Sequence, residues 1–405
     1  MTCRVVITGM GVISALGKGV DPFWQKLQKG EGGIDALVLE EADALKCRVA
    51  AQVNDFQFDA DNHFDSSLLP QLDRHSQFAL IAAHEAITDA QLSTTALRDS
   101  AAIIGTGCGG KETDEQTYCK LYRDNRKRVH PLTIPRGMPS AAASQVSMQL
   151  GIAGPVFTVS SACSSTNHAI IQAVQLIQSG MVDCAVSGGT DAPFTYGLLK
   201  AWEAMRVLAS DTCRPFSVDR SGLVLGEGAG MVVLESLESA QRRGATIHAE
   251  IAGVGMSADA GHITDPSPEG ATRAMAMALN MSGMAPTDVH YINAHGTGTQ
   301  ANDVSETEAI RTLFGDYADR LLISSTKSMH GHALGAAGGL ELIAGVLAMK
   351  NSFVPPTINY LGESEGCDLD YVVNQGREAA IDVALSNSFA FGGLNSVLLL
   401  KSFPA

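Results

Sequence analysis

Cys163 lies in Val159-Ser160-Ser161-Ala162-Cys163-Ser164-Ser165, between an apolar strand-like run and the small-residue start of a helix. A thiol at that junction is a poised nucleophile, because the free amides of a helix's first turn stabilise a thiolate. The chemistry it suggests is covalent catalysis, set against the commoner role of a buried structural cysteine. The second half of the chain offers bases to partner it. His295 stands in His295-Gly296-Thr297-Gly298-Thr299, after the apolar run Val289-His290-Tyr291-Ile292-Asn293-Ala294, and His332 closes Lys327-Ser328-Met329-His330-Gly331-His332. Histidine exchanges protons near neutral pH, and neighbouring glycines let a ligand approach the backbone.

The elements that must hold these residues are readable from periodicity. Pro155 to Val159 predicts a short buried strand, and Ile170, Ala173, Val174 and Ile177 fall at helical spacing up to Gly180, which puts Cys163 at the turn between them. Val5 to Ile13 predicts a first strand, and Lys327 to His332 is expected to open the helix containing Gly335-Ala336-Ala337-Gly338-Gly339. β-Branched strands alternate with Ala/Gly-rich helices along the chain, an α/β pattern. Cys3 to Gly11 is echoed by His248 to Gly255. The strand and helix around Cys163 are echoed by Leu321 to Ser325 and Ala333 to Met349, and Cys184 to Gly189 by Val383 to Ser388. The expectation is a duplicated α/β unit, 1–250 and 251–405, with residues 196–230 as an excursion. Two halves packed together would let Cys163, His295 and His332 converge at strand ends, where α/β sites form.

With 405 residues, 45% hydrophobic and 18% charged, the chain can bury large cores. Its eight cysteines form no CxxC pair and no clustered His/Cys spacing, which disfavours a zinc site or a disulfide framework and suits the reduced thiols of a cytosol. The Val5–Ile13 run is short and broken by glycine, so neither a signal peptide nor a membrane span is expected. A formal charge of −15 argues against general nucleic-acid binding and requires any acidic partner to use a local basic patch. A papain-like cysteine protease is the competing enzyme, since His295 follows Cys163 by 132 residues (295 − 163), within the ~130–150 of that class. Spacing is its only support, because the Cys-Gly-x-Cys-aromatic signature is missing at Cys163.

Four segments together resemble the beta-ketoacyl-ACP synthases, most nearly the synthase II type. They are Ser161-Ala162-Cys163-Ser164-Ser165, Asn293-Ala294-His295-Gly296-Thr297-Gly298-Thr299, Lys327-Ser328-Met329-His330-Gly331-His332 and Asn387-Ser388-Phe389-Ala390-Phe391-Gly392-Gly393. The resemblance implies a thiolase-like fold, duplicated α/β halves in a five-layered α-β-α-β-α sandwich, normally dimeric. It implies Cys163 as the acyl-carrying nucleophile, His295 and His332 as donors to the malonyl thioester carbonyl, and the amides of Cys163 and Phe391 as the oxyanion hole. Lys327 is implied as electrostatic support with Glu341, which is also grouped with Thr297, Thr299, Cys108 and Trp202 among the substrate-binding residues. Thr297 and Thr299 would hold the pantetheine arm, Cys108 and Trp202 the acyl tunnel, and Phe391 would gate the thiol. The partner implied is an acyl carrier protein docking on Arg206, Arg126, Lys127 and Arg128. The dimer is implied to be a homodimer or a heterodimer with a chain-length-factor-like ketosynthase, with no metal and no cofactor beyond the phosphopantetheine that the carrier supplies.

Departures from the family pattern sharpen this. Ala390 stands where housekeeping members usually have glycine, Leu394 where they have a polar residue or threonine, His330 where they have threonine and Gly298 where they have serine. With Trp202 and Met205 these residues resemble the nodulation-factor and polyene-making branch. They imply a specialised acyl product rather than bulk fatty acid, with a housekeeping fatty-acid elongation synthase, a thiol hydrolase and a non-condensing chain-length factor as the alternatives.

Overall fold

The computed structural model describes residues 3–58 and 63–403. Its first half contributes β1 (Val5–Ser14), β2 (Ala101–Gly105), β3 (Val156–Val159), β4 (Cys184–Asp191) and β5 (Gly228–Ser236). The second contributes β6 (Ala249–Ala258), β7 (Tyr291–Asn293), β8 (Leu322–Ser324), β9 (Val383–Ala390) and β10 (Leu394–Lys401). They run β8-β7-β9-β10-β6-β1-β5-β4-β2-β3, with the two-residue strand Gly17–Lys18 hairpinned onto β1. Read outward from the centre, each half has the same strand order. β2 lies parallel to β3 and β4 as β7 lies parallel to β8 and β9, and the remaining pairs are antiparallel. The halves join where β1 meets β6 antiparallel, at Val5↔Ile251, Val6↔Glu250 and Ile7↔Ala249.

The helices repeat too. α1 (Arg74–Ala90) and α2 (Ala141–Leu150) cover the first half, and α4 (Pro268–Ser282) and α5 (Gln300–Phe314) cover the second. Between the halves lie α3 (Ser165–Gln178) and α6 (Ala337–Asn351), each touching strands of both. This is the five-layered thiolase-like sandwich. A helix in the middle layer has no solvent face to make polar, and α6 is accordingly buried on every side from Ala337 to Met349. The outer helices sit unusually close to the sheet. A Cβ on Gly9 or Gly11 of β1 would lie 2.0 Å from the Ala86 or Ala82 carbonyl oxygen of α1. On Gly253 or Gly255 of β6 it would lie 2.2 or 1.9 Å from the corresponding oxygens of Ala278 and Ala274 in α4. The glycine pairs are the duplication seen at single-residue resolution.

Two local expectations are corrected. β3 is an edge strand rather than a buried one: among the described residues it pairs only with β2, and Phe157 is 37% exposed. Lys327 to His332 does not open the long helix. Lys327–His330 is a single turn ended by Gly331 at φ 67°, and the chain reorganises through Leu334–Ala336 before α6 begins. The break is what turns His332 out of the helical path. The excursion at 196–230 includes a helix, Tyr196–Met205, and irregular chain leading into β5.

Candidate active site

The site lies outside the carboxyl ends of the parallel strands, where open α/β sheets leave a crevice. β3 ends at Val159, and four residues on, Cys163 sits just before α3. Ala162 holds φ 50°, a left-handed conformation unusual for a residue with a side chain, and it is kept there by a lattice of small polar groups. The Ser161 amide donates to Ser165 Oγ (2.9 Å), whose hydroxyl donates to the Ala162 carbonyl (2.6 Å), while Ser161 Oγ meets His168 Nδ1 at 2.7 Å. The run of serines around Cys163 is thus turn chemistry.

His295 follows β7, and His332 follows the turn after β8. Their rings stand 5.4 Å apart and nearly perpendicular (85°), and one ring nitrogen of each lies with Cys163 Sγ in a group spanning no more than 4.8 Å. All three residues are buried. The Leu334 backbone N–H donates to His332 Nδ1 at 3.1 Å, so that nitrogen carries no proton and Nε2 does. Lys327 Nζ donates to the His295 carbonyl (2.7 Å), to Glu341 Oε1 and toward His295 Nδ1 (3.4 Å), which selects the same tautomer there. Burial, then the Lys327 ammonium, then a histidine neighbour hold both rings well below the ordinary histidine range, so they remain neutral. The outcome is two neutral Nε2–H donors at one point. Cys, His and His also match the ligand types of a soft metal ion, but a ligating nitrogen must be unprotonated, and both Nδ1 atoms are committed as acceptors. The tautomers suit hydrogen-bond donation instead.

Burial pushes the Cys163 thiol up to about 12, opposed by Lys327 and reinforced by Asp191 and Glu341. Thr297, Thr299, Trp202 and Phe391 line the same cavity as Cys163, His295 and His332. Phe391 sits at the tip of the β9–β10 hairpin with its ring centroid 6.0 Å from that of Trp202. Cys108 is not in that lining; it packs with Trp202 against a cluster that includes Leu199, Leu223 and Leu334. Glu341, grouped with the substrate contacts, is corrected: it is fully buried beneath Lys327, outside the cavity, because its carboxylate is the counter-ion of that ammonium. Arg206 is exposed at the end of the helix Tyr196–Met205, and Arg126, Lys127 and Arg128 are exposed on the segment after Arg123.

Of the departures, Gly298 has φ 80°, and a Cβ there would meet the Gly222 carbonyl oxygen at 2.9 Å, so glycine suits the position. His330 is wholly buried, bonded to Thr326 Oγ1 (2.9 Å) and the Gly331 carbonyl (2.8 Å), and burial with Lys327 lowers it to about 3. Two carboxylates escape the sequence reading. Glu306 accepts the amides of His295 and Gly296 (both 2.8 Å) and is pushed up to about 7 by burial, while Asp303 accepts those of Phe216 (2.7 Å) and Gly298 (3.2 Å). Their signal was present: three residues apart on α5, they share one helix face directed at the His295 loop. Asp191, at the end of β4, accepts from Thr106 Oγ1 (2.7 Å) and from the amides of Gly107 (2.9 Å), Cys108 (2.9 Å) and Gly335 (2.6 Å), tying the two halves beside Cys163.

A duplicated thiolase-like sandwich with one cysteine and two donor histidines at its strand ends defines a condensing acyltransferase. Family models agree: "Beta-ketoacyl synthase, N-terminal domain" matches residues 2–240 and "Beta-ketoacyl synthase, C-terminal domain" residues 248–361. The chain belongs to the beta-ketoacyl synthases and is a 3-oxoacyl-ACP synthase in activity. It is 51% identical over 404 residues to Nodulation protein E of Rhizobium meliloti (strain 1021), covering 99% of this chain and 100% of that one. It is 42% identical over 414 residues to 3-oxoacyl-[acyl-carrier-protein] synthase 2 of Staphylococcus aureus (strain N315), with 99% of each covered. A solved structure titled the ishigamide ketosynthase/chain length factor superposes with TM-score 0.95 at 35% identity over the whole of both chains. Among the described residues no helix is long and apolar enough to cross a membrane.

Proposed function

We propose that Cys163 takes an acyl group from an acyl-carrier-protein thioester and that the second half of the chain then extends it by two carbons. In the first step the Cys163 Sγ–acyl bond forms, the acyl–pantetheine C–S bond breaks, and the thiol proton leaves with the departing pantetheine sulfur. In the second, malonyl-ACP loses carbon dioxide and the electron pair of the broken C–C bond passes to an enolate, whose oxygen receives the Nε2–H groups of His295 and His332. The enolate carbon attacks the acyl carbon, and Cys163 leaves as thiolate and regains a proton. Amides of Cys163 and Phe391 receive the thioester oxygen in both steps. Thr297 and Thr299 contact the pantetheine arm, Trp202 the acyl chain, and Phe391 gates the thiol. The observation that carries the reading is the pair of neutral imidazoles, both fixed as Nε2–H donors, within 4.8 Å of the thiol.

In this reading residues 1–250 supply the nucleophile and 251–405 the two histidines and the gate. A carrier protein docks on the exposed Arg206, Arg126, Lys127 and Arg128, where a local basic patch offsets the chain's charge of −15. The likeness to a ketosynthase/chain-length-factor structure favours a paired assembly, with itself or with such a factor. Eight unpaired cysteines fit a reducing cytoplasm. The likeness to Nodulation protein E, with Ala390 and His330 in place, supports a specialised acyl product. Intact-protein mass spectrometry with a panel of acyl-ACP thioesters tests the chemistry. The wild-type chain gains an acyl adduct that malonyl-ACP converts to a two-carbon-longer product, and Cys163→Ala gains none. Adducts on another residue, or acyl release without extension, overturn it. Restoration of a normal fatty-acid profile in a strain lacking its housekeeping synthase would count against the specialised product.

A further inference from the structure

Ser164 occupies the residue before α3, the position at which a serine side chain ordinarily accepts a hydrogen bond from the helix's first turn. Here it makes no such cap. The hydroxyl is fully buried and faces the other half of the molecule, 2.9 Å from the Ser388 carbonyl oxygen and 2.6 Å from that of Leu394. Those carbonyls stand on the two arms of one hairpin, on either side of the loop that carries Phe391, where Ser388 pairs with Ser396 and Ala390 with Leu394. A hydroxyl has one proton, and a single donor shared by two acceptors bridges both. The residue adjoining the nucleophile therefore pins the loop end of the hairpin.

We propose that Ser164 is a positioning residue that fixes the Phe391 loop against the Cys163 turn and so sets the spacing of the two amides that receive the thioester oxygen. This rests on the reading of Cys163 as acyl acceptor and of those amides as its oxyanion hole. The hydroxyl's one proton is directed across to the hairpin, and its oxygen accepts no bond from its own helix. Leaving the first turn without a side-chain cap also leaves the positive end of α3 unmasked beside the thiol. Nothing else at the loop end of the hairpin bonds both of its arms to the Cys163 turn among the described contacts. Without the hydroxyl the loop shifts, and a displacement of about 1 Å at a reacting centre can cost ~10²-fold in rate.

The test compares wild type, Ser164→Ala and Ser164→Thr by two rates at Cys163: acylation by an acyl-ACP thioester and alkylation by iodoacetamide, which needs the thiol but no oxyanion hole. Ser164→Ala should lower the acylation kcat by about tenfold or more with KM changed by less than about twofold, while alkylation holds or quickens. Ser164→Thr keeps the hydroxyl and should acylate within about threefold of wild type. Acylation of Ser164→Ala at the wild-type rate overturns the proposal. So does a threonine variant as slow as the alanine one, or a parallel loss of acylation and alkylation, which marks damage to the nucleophile turn. Failure of the wild-type chain to acylate at Cys163 overturns the catalytic reading itself and this role with it.

Discussion

The two halves of the molecule share one strand order but use equivalent strand ends for different work. β3 in the first half leads to Cys163, whereas its counterpart β8 leads to Lys327 and His332. β2 leads to Thr106, Gly107 and Cys108, whereas β7 leads to His295. β4 ends at Asp191, a carboxylate spent on four hydrogen bonds, whereas β9 ends at the loop of Phe391. In the proposed reading one half gives the nucleophile and scaffolding, and the other gives hydrogen-bond donors, a buried cation and a gate. A duplicated scaffold brings like strand ends face to face across α3 and α6, so each copy can specialise without moving the backbone.

The division is broken most directly in the second half. His295→Ala and His332→Ala should each lower two-carbon extension by about 10²–10³-fold, the cost of losing one oxyanion donor. Acyl-enzyme formation, which needs the first half's thiol, should persist in both. Mass spectrometry that finds no acyl adduct on either variant would show the halves are not separable in this way.

Gly9→Ala and Gly253→Ala insert a methyl 2.0 and 2.2 Å from a helix carbonyl oxygen in equivalent places. Each should destabilise the chain by about 3 kcal/mol, the upper end of ordinary overpacking, because backbone lies on both sides of the clash. Denaturant unfolding that finds one variant near wild type would break the equivalence. These glycines were legible in the sequence, since Cys3–Gly11 and His248–Gly255 echo each other, and Cys163, His295 and His332 stood out at strand ends. What escaped lacked a local signature. The exposure of β3 depends on which strand stops the sheet, and the burial of Glu341 on what covers it. Ser164 reads as an ordinary helix cap until the hairpin arrives beside it, whereas the spacing of Glu306 and Asp303 on one face of α5 was itself a signal.

Burial moves the two halves' reactive groups in opposite directions, Cys163 up to about 12 and both histidines down. A raised thiol leaves a thiolate fraction that keeps growing with pH. Alkylation of Cys163 by iodoacetamide should therefore rise about tenfold per pH unit from about pH 7 to pH 10, without levelling near the ordinary cysteine value of ~8.5. A plateau by about pH 9 would mean that α3 and Lys327 outweigh burial.

The smallest effect is expected at Cys108, which follows β2 as His295 follows β7 in the other half. If equivalent strand ends carried equivalent duties, removing this side chain would cripple the reaction. Its surroundings argue otherwise: its amide serves Asp191, and its side chain packs in an apolar cluster with Trp202. Burial, then Asp191, pushes the thiol well above the usual cysteine range, so it has no thiolate to offer. Cys108→Ala keeps the amide and loses one small half-buried group, worth at most about 1 kcal/mol of stability. Acylation and extension should stay within about threefold of wild type. Its place on the same cluster as Trp202 leaves one informative exception, read by comparing acyl-ACP substrates of different length on the variant. A changed length preference would make this strand end a wall of the acyl path, and the two equivalent positions would then divide substrate fit from chemistry.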